Sequence, residues 1–359
     1  MTIVVFCPNL IGDTVMATPT LRALRLGFPD SRLLGVIKPH VAPTLDGAPW
    51  LDDRILFDPR ARDPVHGMRA VLKRLRGERP ELAVLLPNSF RSALMAWRSG
   101  ARRRIGYARG GRGFLLTDRL DPARDGSGEF LPAPIVESYL AIARRLGCRV
   151  DTVRPELFTT RADEEAADRA WSELGLTGDS PVVCLNTGGA FGPAKNWPVD
   201  HFACLARRLA DEAGCAVLVV CGPSERDAAG EIASRSARRD VVSLADQRLS
   251  IGLTKACIRR SALLITTDSG PRHFAAAFRV PVLTLFGPTH IAWTRTYHPQ
   301  AHHLFHPVAC GPCQQPTCPL GHHRCMRELT PQAVYDTALR LLPRSHRAHG
   351  RSYLPIVHP

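Results

Sequence analysis

Apolar positions along the chain alternate between short continuous runs and stretches with helical spacing. Ile3-Val-Val-Phe-Cys7 is a strand-like run halted by Pro8, and residues 13–26 set Val15, Met16, Leu21, Leu24 and Leu26 on a helical period. Residues 33–37, 55–57 and 82–86 read as further strands, with a helix over 66–76 between the last two. Such alternation predicts a parallel sheet with helices on both faces. Between 101 and 134 glycine, arginine and proline dominate and periodicity disappears, which predicts a long irregular loop of the functional kind. A helix over 134–146 closes this half.

After a helix over 164–174 and a turn at 178–181, a second series begins. Strands are expected at 182–186, 216–221, 241–244, 263–267 and 282–286, and helices at 198–213, 225–239, 251–260, 271–278 and 331–342. Two such halves predict an α/β chain of two Rossmann-like domains, 1–165 and 166–343, facing each other across a cleft with ligands at the carboxyl ends of the strands. A length of 359 residues fits two domains. The tail 344–359, rich in Arg, His and Pro, has too few apolar residues to pack and is expected to be disordered.

Composition narrows the classes. Forty-five per cent apolar and 22% charged residues suit a soluble protein, and no run approaches the roughly 18 apolar residues of a membrane span. The first apolar run is too short for a secretory signal and lacks its basic lead, so a cytoplasmic location is expected. Of eleven cysteines, seven (Cys7, Cys148, Cys184, Cys204, Cys215, Cys221 and Cys257) sit singly in apolar segments, which argues against a disulfide framework. A net charge of +14, mostly from arginine, favours phosphate-rich partners. Nucleic acid is disfavoured by 6% aromatic content and by the lack of a recognition motif. Neither half carries a Gly-x-Gly-x-x-Gly turn after its first strand, against an NAD dehydrogenase.

Three strand-end constellations carry candidate chemistry. Asn9-Leu-Ile-Gly-Asp13 puts a carboxylate where a strand gives way to a helix: either a first-turn aspartate favoured by the helix dipole or a general base. Asn186-Thr-Gly-Gly, running on to Lys195-Asn-Trp-Pro198, joins a glycine loop to one ammonium and makes a diphosphate cradle or a surface loop. Thr267-Asp-Ser-Gly-Pro-Arg-His273 offers Ser269 as an N-cap, amides around Gly270 aimed at an anion, and His273 in the first helical turn. Gly287-Pro-Thr289 ends the next strand on the same rim.

In this order, the segments resemble the ADP-heptose:lipopolysaccharide heptosyltransferases of glycosyltransferase family 9, closest to the heptosyltransferase II group. The resemblance rests on Ile11-Gly-Asp-Thr-Val-Met-Ala-Thr-Pro19, Leu86-Pro-Asn-Ser-Phe-Arg-Ser-Ala-Leu94, Phe191-Gly-Pro-Ala-Lys-Asn-Trp-Pro198, Thr267-Asp-Ser-Gly-Pro271 with His273, and Leu285-Phe-Gly-Pro-Thr289. It implies a GT-B fold with acceptor in the first domain and donor in the second, and inverting transfer to a Kdo-lipid A type acceptor with no metal and no cofactor. It gives Asp13 the base role. Lys195, Thr187 and Gly188 take the diphosphate side, and Asp268, Ser269, Gly270 and His273 the phosphate and heptose contacts. Glu225 is a looser match to a ribose-binding acid. Asn88, Ser89 and Arg91 fall in the acceptor domain.

Arg102, Arg103, Arg104, Arg109 and Arg112 lie in that same domain, where guanidinium groups suit lipid phosphates and carboxylates. Arg103 and Arg104 are therefore expected to bind the acceptor or an anionic membrane surface at the cytoplasmic face of the inner membrane. Cys310, Cys313, Cys318 and Cys325, with His322 and His323 between them, have the look of a zinc knuckle; reduced packing cysteines or a partial disulfide are the alternative. Another GT-B transferase, or an epimerase using a different nucleotide-sugar, would show the same two halves.

Overall fold

Each half builds a six-stranded, all-parallel sheet in the same doubly wound order. The structure, a computed structural model, describes residues 1–61, 65–126, 128, 130–131, 133–189 and 191–342. It divides into two units, Met1–Thr160 with Ile291–His298, and Arg161–His290 with the chain from Pro299 onward. The boundary expected at 165/166 therefore moves to 160/161, because a single helix, Arg161–Glu173, spans it. The tail expected at 344–359 lies outside the described residues.

In the first unit, strands β1 (Thr2–Phe6), β2 (Arg32–Ile37), β3 (Asp53–Leu56), β4 (Leu82–Leu85), β5 (Arg103–Tyr107) and β6 (Asp118–Leu120) lie in the order β3-β2-β1-β4-β5-β6. Helices α1 (Ile11–Met16), α2 (Thr18–Gly27), α3 (Met68–Gly77), α4 (Phe90–Arg98) and α5 (Ile135–Arg145) flank the sheet. One core joins Leu21 and Leu24 of α2 with Tyr139 and Ile142 of α5; the other joins Val71 and Leu75 of α3 with Ala93 and Met95 of α4. Central strands are buried on both faces, so they read as apolar runs.

Two expectations change here. The single helix over 13–26 is two helices: Pro19 has no N–H to offer the Val15 carbonyl, and the Thr18 hydroxyl donates to it at 2.7 Å instead. The segment 101–134 is not all loop, since β5 and β6 extend the sheet within it. Both are strands near the sheet edge with exposed arginines, which hides the usual alternation.

The second unit begins with α6 (Arg161–Glu173) and repeats the plan with β7 (Val182–Asn186), β8 (Ala216–Val220), β9 (Val241–Ser243), β10 (Leu263–Thr267), β11 (Val282–Phe286) and β12 (Ala301–Phe305), ordered β12-β11-β10-β7-β8-β9. Its further helices are α7 (Val199–Asp211), α8 (Arg226–Ser236), α9 (Ile251–Arg260), α10 (Gly270–Phe278), α11 (Arg324–Arg327) and α12 (Pro331–Leu341). Strand β12, Ala-His-His-Leu-Phe, escapes the sequence pattern because two histidines interrupt it; it pairs with β11 at the edge.

In each sheet the strand order reverses between the first and fourth strands, which leaves a crevice beyond their carboxyl ends. In the first unit that switch point falls between β1 and β4, in the second between β7 and β10.

Candidate functional site

The loops after β7 and β10 bring the second unit's expected residues together. Lys195 reaches across from the β7 loop: its Nζ lies 2.7 Å from Asp268 Oδ2 and 2.8 Å from the Asp268 carbonyl. Arg272, one helical turn further on, donates to Asp268 Oδ1 at 2.9 Å, and Thr289, beyond β11, donates to Oδ2 at 2.7 Å. All four side chains are buried. Two cations on one carboxylate leave the array with a net charge of +1, an interior suited to an anion.

The loop above it is glycine for steric reasons. A Cβ on Gly188 would sit 2.5 Å from Glu225 Oε1, while Glu225 Oε2 accepts from the Gly222 amide at 2.8 Å. A Cβ on Gly189 would lie 2.9 Å from that of Ser269. Gly192, at φ 141°, has a backbone that only glycine adopts readily. Ser269 stands at the N-cap of α10, but its hydroxyl does not cap the helix; it accepts from Asn186 Nδ2 at 2.8 Å and meets Thr266 Oγ1 at 3.0 Å. The α10 amides, beginning at Gly270 with Pro271 behind it, are thus left to other acceptors.

Electrostatics sort the roles. Burial alone raises the Asp268 carboxyl, but Arg272 and Lys195, aided by hydrogen bonds from Lys195 and Thr289, outweigh it and hold the group well below the carboxylate range. His273 is pushed down to about 3 by burial and by the charge of Arg272, so it is a neutral donor at ordinary pH. Its Nδ1, like Thr187 Oγ1, is buried with no hydrogen-bond partner among the described residues. Such atoms are costly unless a polar ligand meets them.

In the first unit the switch-point loops carry Asp13 and the Pro87–Ser89 turn. Asp13 stands in the first turn of α1, close enough to the buried Tyr139 for its charge to add to the effect of burial in raising that hydroxyl. A cavity of 360 Å³ is lined by Asn9, Lys38, Ser89 and Arg91 among others. Ser89 caps α4 by accepting from the Ser92 amide at 3.1 Å. Asn88 Oδ1 accepts from Arg112 at 3.0 Å.

The remaining arginines are placed differently from expectation. Arg103 and Arg104 begin β5, at the amino end of the sheet, away from Asn88, Ser89 and Arg91 at the carboxyl end. Arg103 is paired with Asp118 at 2.9 Å, and Arg104 donates to the Ala101 and Leu115 carbonyls at 2.6 and 2.7 Å. Arg109 stacks 3.7 Å from the centroid of Phe130. Arg112 is fully buried: its guanidinium donates to the carbonyls of Pro87, Ser89 and Tyr107 and to Ser92 Oγ. A loop scaffold, not a surface anion site, is what it forms.

The family profile for glycosyltransferase family 9 (heptosyltransferase) matches residues 68–324, well over half of the chain. The chain belongs to glycosyltransferase family 9. It is 28% identical over 361 residues to lipopolysaccharide heptosyltransferase 2 of Escherichia coli (strain K12), covering 95% of this chain and 99% of that one. The solved structure of the E. coli ADP-heptose LPS heptosyltransferase II superposes with a TM-score of 0.76 at 26% identity, covering 95% and 98% of the two chains. A family 9 glycosyltransferase from Veillonella parvula reaches 0.79 at 22% identity, covering 95% and 96%, a likeness of fold.

Membership makes this family 9 chain a glycosyltransferase, and the likeness is nearest to the heptosyltransferase II group. Within it the segment 310–325 is a strap in which Cys310, Cys313 and Cys318 lie close enough to Cys325 for their charges to add to the effect of burial in raising its thiol. Among the described residues no group of three or more His, Cys, Asp or Glu side chains is placed to hold a metal ion, and all eleven cysteines are free. The thiols find other partners: Cys318 is lowered chiefly by the His323 amide, with those of Leu320, Gly321 and His322 adding to it, and Cys310 Sγ lies 3.8 Å from His322 Nε2. The strap holds the site from beneath. Ala194 N donates to the Pro316 carbonyl at 3.0 Å, and Gln314 N to that of Pro288 at 2.8 Å.

Trp197 also serves the scaffold of this family 9 site, donating to the Leu329 carbonyl at 2.8 Å and packing edge-on against Phe202. The sequence reading gave Arg272 and Asn186 no role of their own, and it grouped Arg112 with the arginines expected to meet anions, not with the scaffold of the Pro87–Ser89 turn. Arg272 carried a signal, its spacing of four from Asp268. Arg112 carried none, because its partners lie up to 25 residues away.

Proposed function

We propose that this enzyme transfers a heptose from ADP-heptose to the inner core of lipopolysaccharide, adding the second heptose, with inversion at the anomeric carbon and without a catalytic metal. The observation that carries the reading is the buried Lys195–Asp268–Arg272 array, net positive, beside the Gly188–Gly189 turn and the N-terminus of α10. As the glycosidic bond to the diphosphate breaks, negative charge grows on the leaving phosphate. A fixed cationic array, helix amides and the neutral N–H of His273 stabilise it without reorganising. Thr187, Ser269 and Gly270 line the phosphate side, and Glu225 takes a ribose hydroxyl.

Asp13 accepts the proton from the acceptor hydroxyl, as a first-turn carboxylate at the switch point of the other sheet is suited to do. Asn88, Ser89 and Arg91 bind the acceptor, a Kdo-lipid A type glycolipid, with Arg91 meeting its anionic groups. Arg103 and Arg104, tied at the far end of β5, are left out of this set. The relatives named lipopolysaccharide heptosyltransferase 2 support the choice of substrate pair. Among the described residues no helix is long and apolar enough to cross a membrane, and the enzyme works at the cytoplasmic face of the inner membrane.

The test is transfer from ADP-heptose to Kdo-lipid A with and without the first heptose, in the presence of a chelator. Product only with the heptosylated acceptor supports the reading. Turnover of UDP-sugars with none of ADP-heptose, or activity abolished by the chelator, refutes it.

A further inference from the structure

The layer formed by α3 and α4 on one side of the first sheet has an outer surface that the proposed chemistry does not use. The inner faces of these helices are spent on the core through Val71, Leu75, Ala93 and Met95. On α4, Phe90 and Trp97 stand exposed two turns apart on one stripe of the helix, with Leu94 between them half-buried against the core. Phe90 is 46% exposed and Trp97 52%; Phe114, 69% exposed, sets its ring 6.1 Å from that of Phe90. Solvent-facing aromatics in a row are uncommon on a surface that meets only water.

Charge singles out the partner. Helix α3 carries four cations and α4 two, and neither contains an acidic residue. Arg76 Nε donates to the Arg98 carbonyl at 2.9 Å, which sets the ends of the two helices side by side. Of the six cations, Arg74 is paired with Asp53 at 2.6 Å, so cations in clear excess flank the aromatic stripe. A face with Phe and Trp on its apolar stripe and Lys and Arg beside it is the chemistry of a helix lying in the interface of an anionic bilayer.

We propose that this face docks the enzyme on an anionic lipid surface, with Phe90, Trp97 and Phe114 entering the headgroup layer while Lys73 and Arg98 meet lipid phosphates. The inference deepens the proposed function and rests on its reading that the acceptor is a membrane glycolipid. Phe90 opens α4 directly after Asn88 and Ser89, so docking brings the acceptor-binding turn to the membrane surface.

The test is sedimentation of the full-length protein with phosphatidylcholine vesicles, with and without about one-third phosphatidylglycerol. The protein partitions to the anionic vesicles and not to the neutral ones. Lys73→Glu with Arg98→Glu weakens this by more than about tenfold, given roughly 1 kcal/mol for each cation at such a surface, and Trp97→Ser with Phe114→Ser weakens it too. Both double variants keep wild-type melting and wild-type turnover of ADP-heptose with a soluble, delipidated acceptor, so loss of docking is read separately from loss of the reaction.

As an independent readout, phosphatidylglycerol with brominated acyl chains quenches the wild-type fluorescence, and Trp97→Phe removes that quenching while retaining binding. Binding unchanged in both double variants overturns the proposal. So does equal binding to neutral vesicles, or a homodimer that Trp97→Ser dissolves, which would make this face an interface between copies of the chain.

Discussion

The ammonium of Lys195 and the carboxylate of Asp268 meet at 2.7 Å in the interior of the second unit, from loops 73 residues apart in sequence. The contact joins the strand-end loops of β7 and β10, so the cation proposed to meet the donor is held by the same residue that orients Arg272. Asp268→Asn would leave two buried cations without their counter-charge. Loss of a partner from a buried pair costs about 3–5 kcal/mol, so the variant is expected to melt well below the wild type by calorimetry. Lys195→Ala, which leaves Asp268 with Arg272 and Thr289, should be milder in stability and severe in transfer.

His273 predicts a pH dependence of stability. Its pKa is about 3 in the folded protein against an ordinary 6.5 for histidine, so between those limits the unfolded chain binds a proton that the folded one does not. Unfolding free energy therefore rises with pH across that window and is lost as the pH falls below about 6.5. The contribution is about 2 kcal/mol between about pH 6.5 and pH 5. His303, pushed down to about 4 by burial and Arg272, acts in the same direction. Denaturant titrations at the two pH values should show a shallower dependence in His273→Gln; an identical one would remove this residue as the cause.

Asp13→Asn keeps the size and the first-turn position of the side chain and removes its basicity. Transfer is expected to fall by about 10²–10⁴-fold with ADP-heptose affinity unchanged in calorimetric titration. Full activity would leave the base role to another group.

Arg112→Lys retains the charge but not the planar fork. An ammonium has three N–H groups and cannot meet the carbonyls of Pro87, Ser89 and Tyr107 together with Ser92 Oγ and Asn88 Oδ1. A stability loss of about 1–3 kcal/mol is expected, together with a raised KM for acceptor and an unchanged KM for donor. Equal changes in both would mean that Arg112 supports the unit as a whole and not the Asn88–Ser89 turn.

Gly188→Ala would drive a methyl group into Glu225. Because that carboxylate also holds the Gly222 amide, the loop after β8 should shift with it, raising the KM for ADP-heptose by about tenfold, equivalent to 1.4 kcal/mol, with little change in melting temperature.

Central strands such as β7 and β10 were legible because they are buried on both faces and bounded by glycine or aspartate turns. Strands β5, β6 and β12 were not, since positions at or next to the sheet edge tolerate Arg and His and erase the period on which the reading depends. Within the site, Lys195, Asp268 and His273 stood out as unusual residue types at strand ends. What sequence could not convey was their pairing: that Lys195 shares the Asp268 carboxylate with Arg272, that His273 is buried and uncharged, and that Arg103 and Arg104 face away from the turn at Asn88. Those facts depend on contacts between segments many residues apart, which no local window contains.

One carbonyl, that of Pro316, receives the amide of Ala194, next to Lys195. The segment bearing that carbonyl is short, rich in small residues, and attached at both ends to the frame of the same unit. Altering its length would shift the backbone beside Lys195 without touching any residue of the glycine loop, so a change between 310 and 325 reaches the proposed donor site from outside the motif by which the family is recognised.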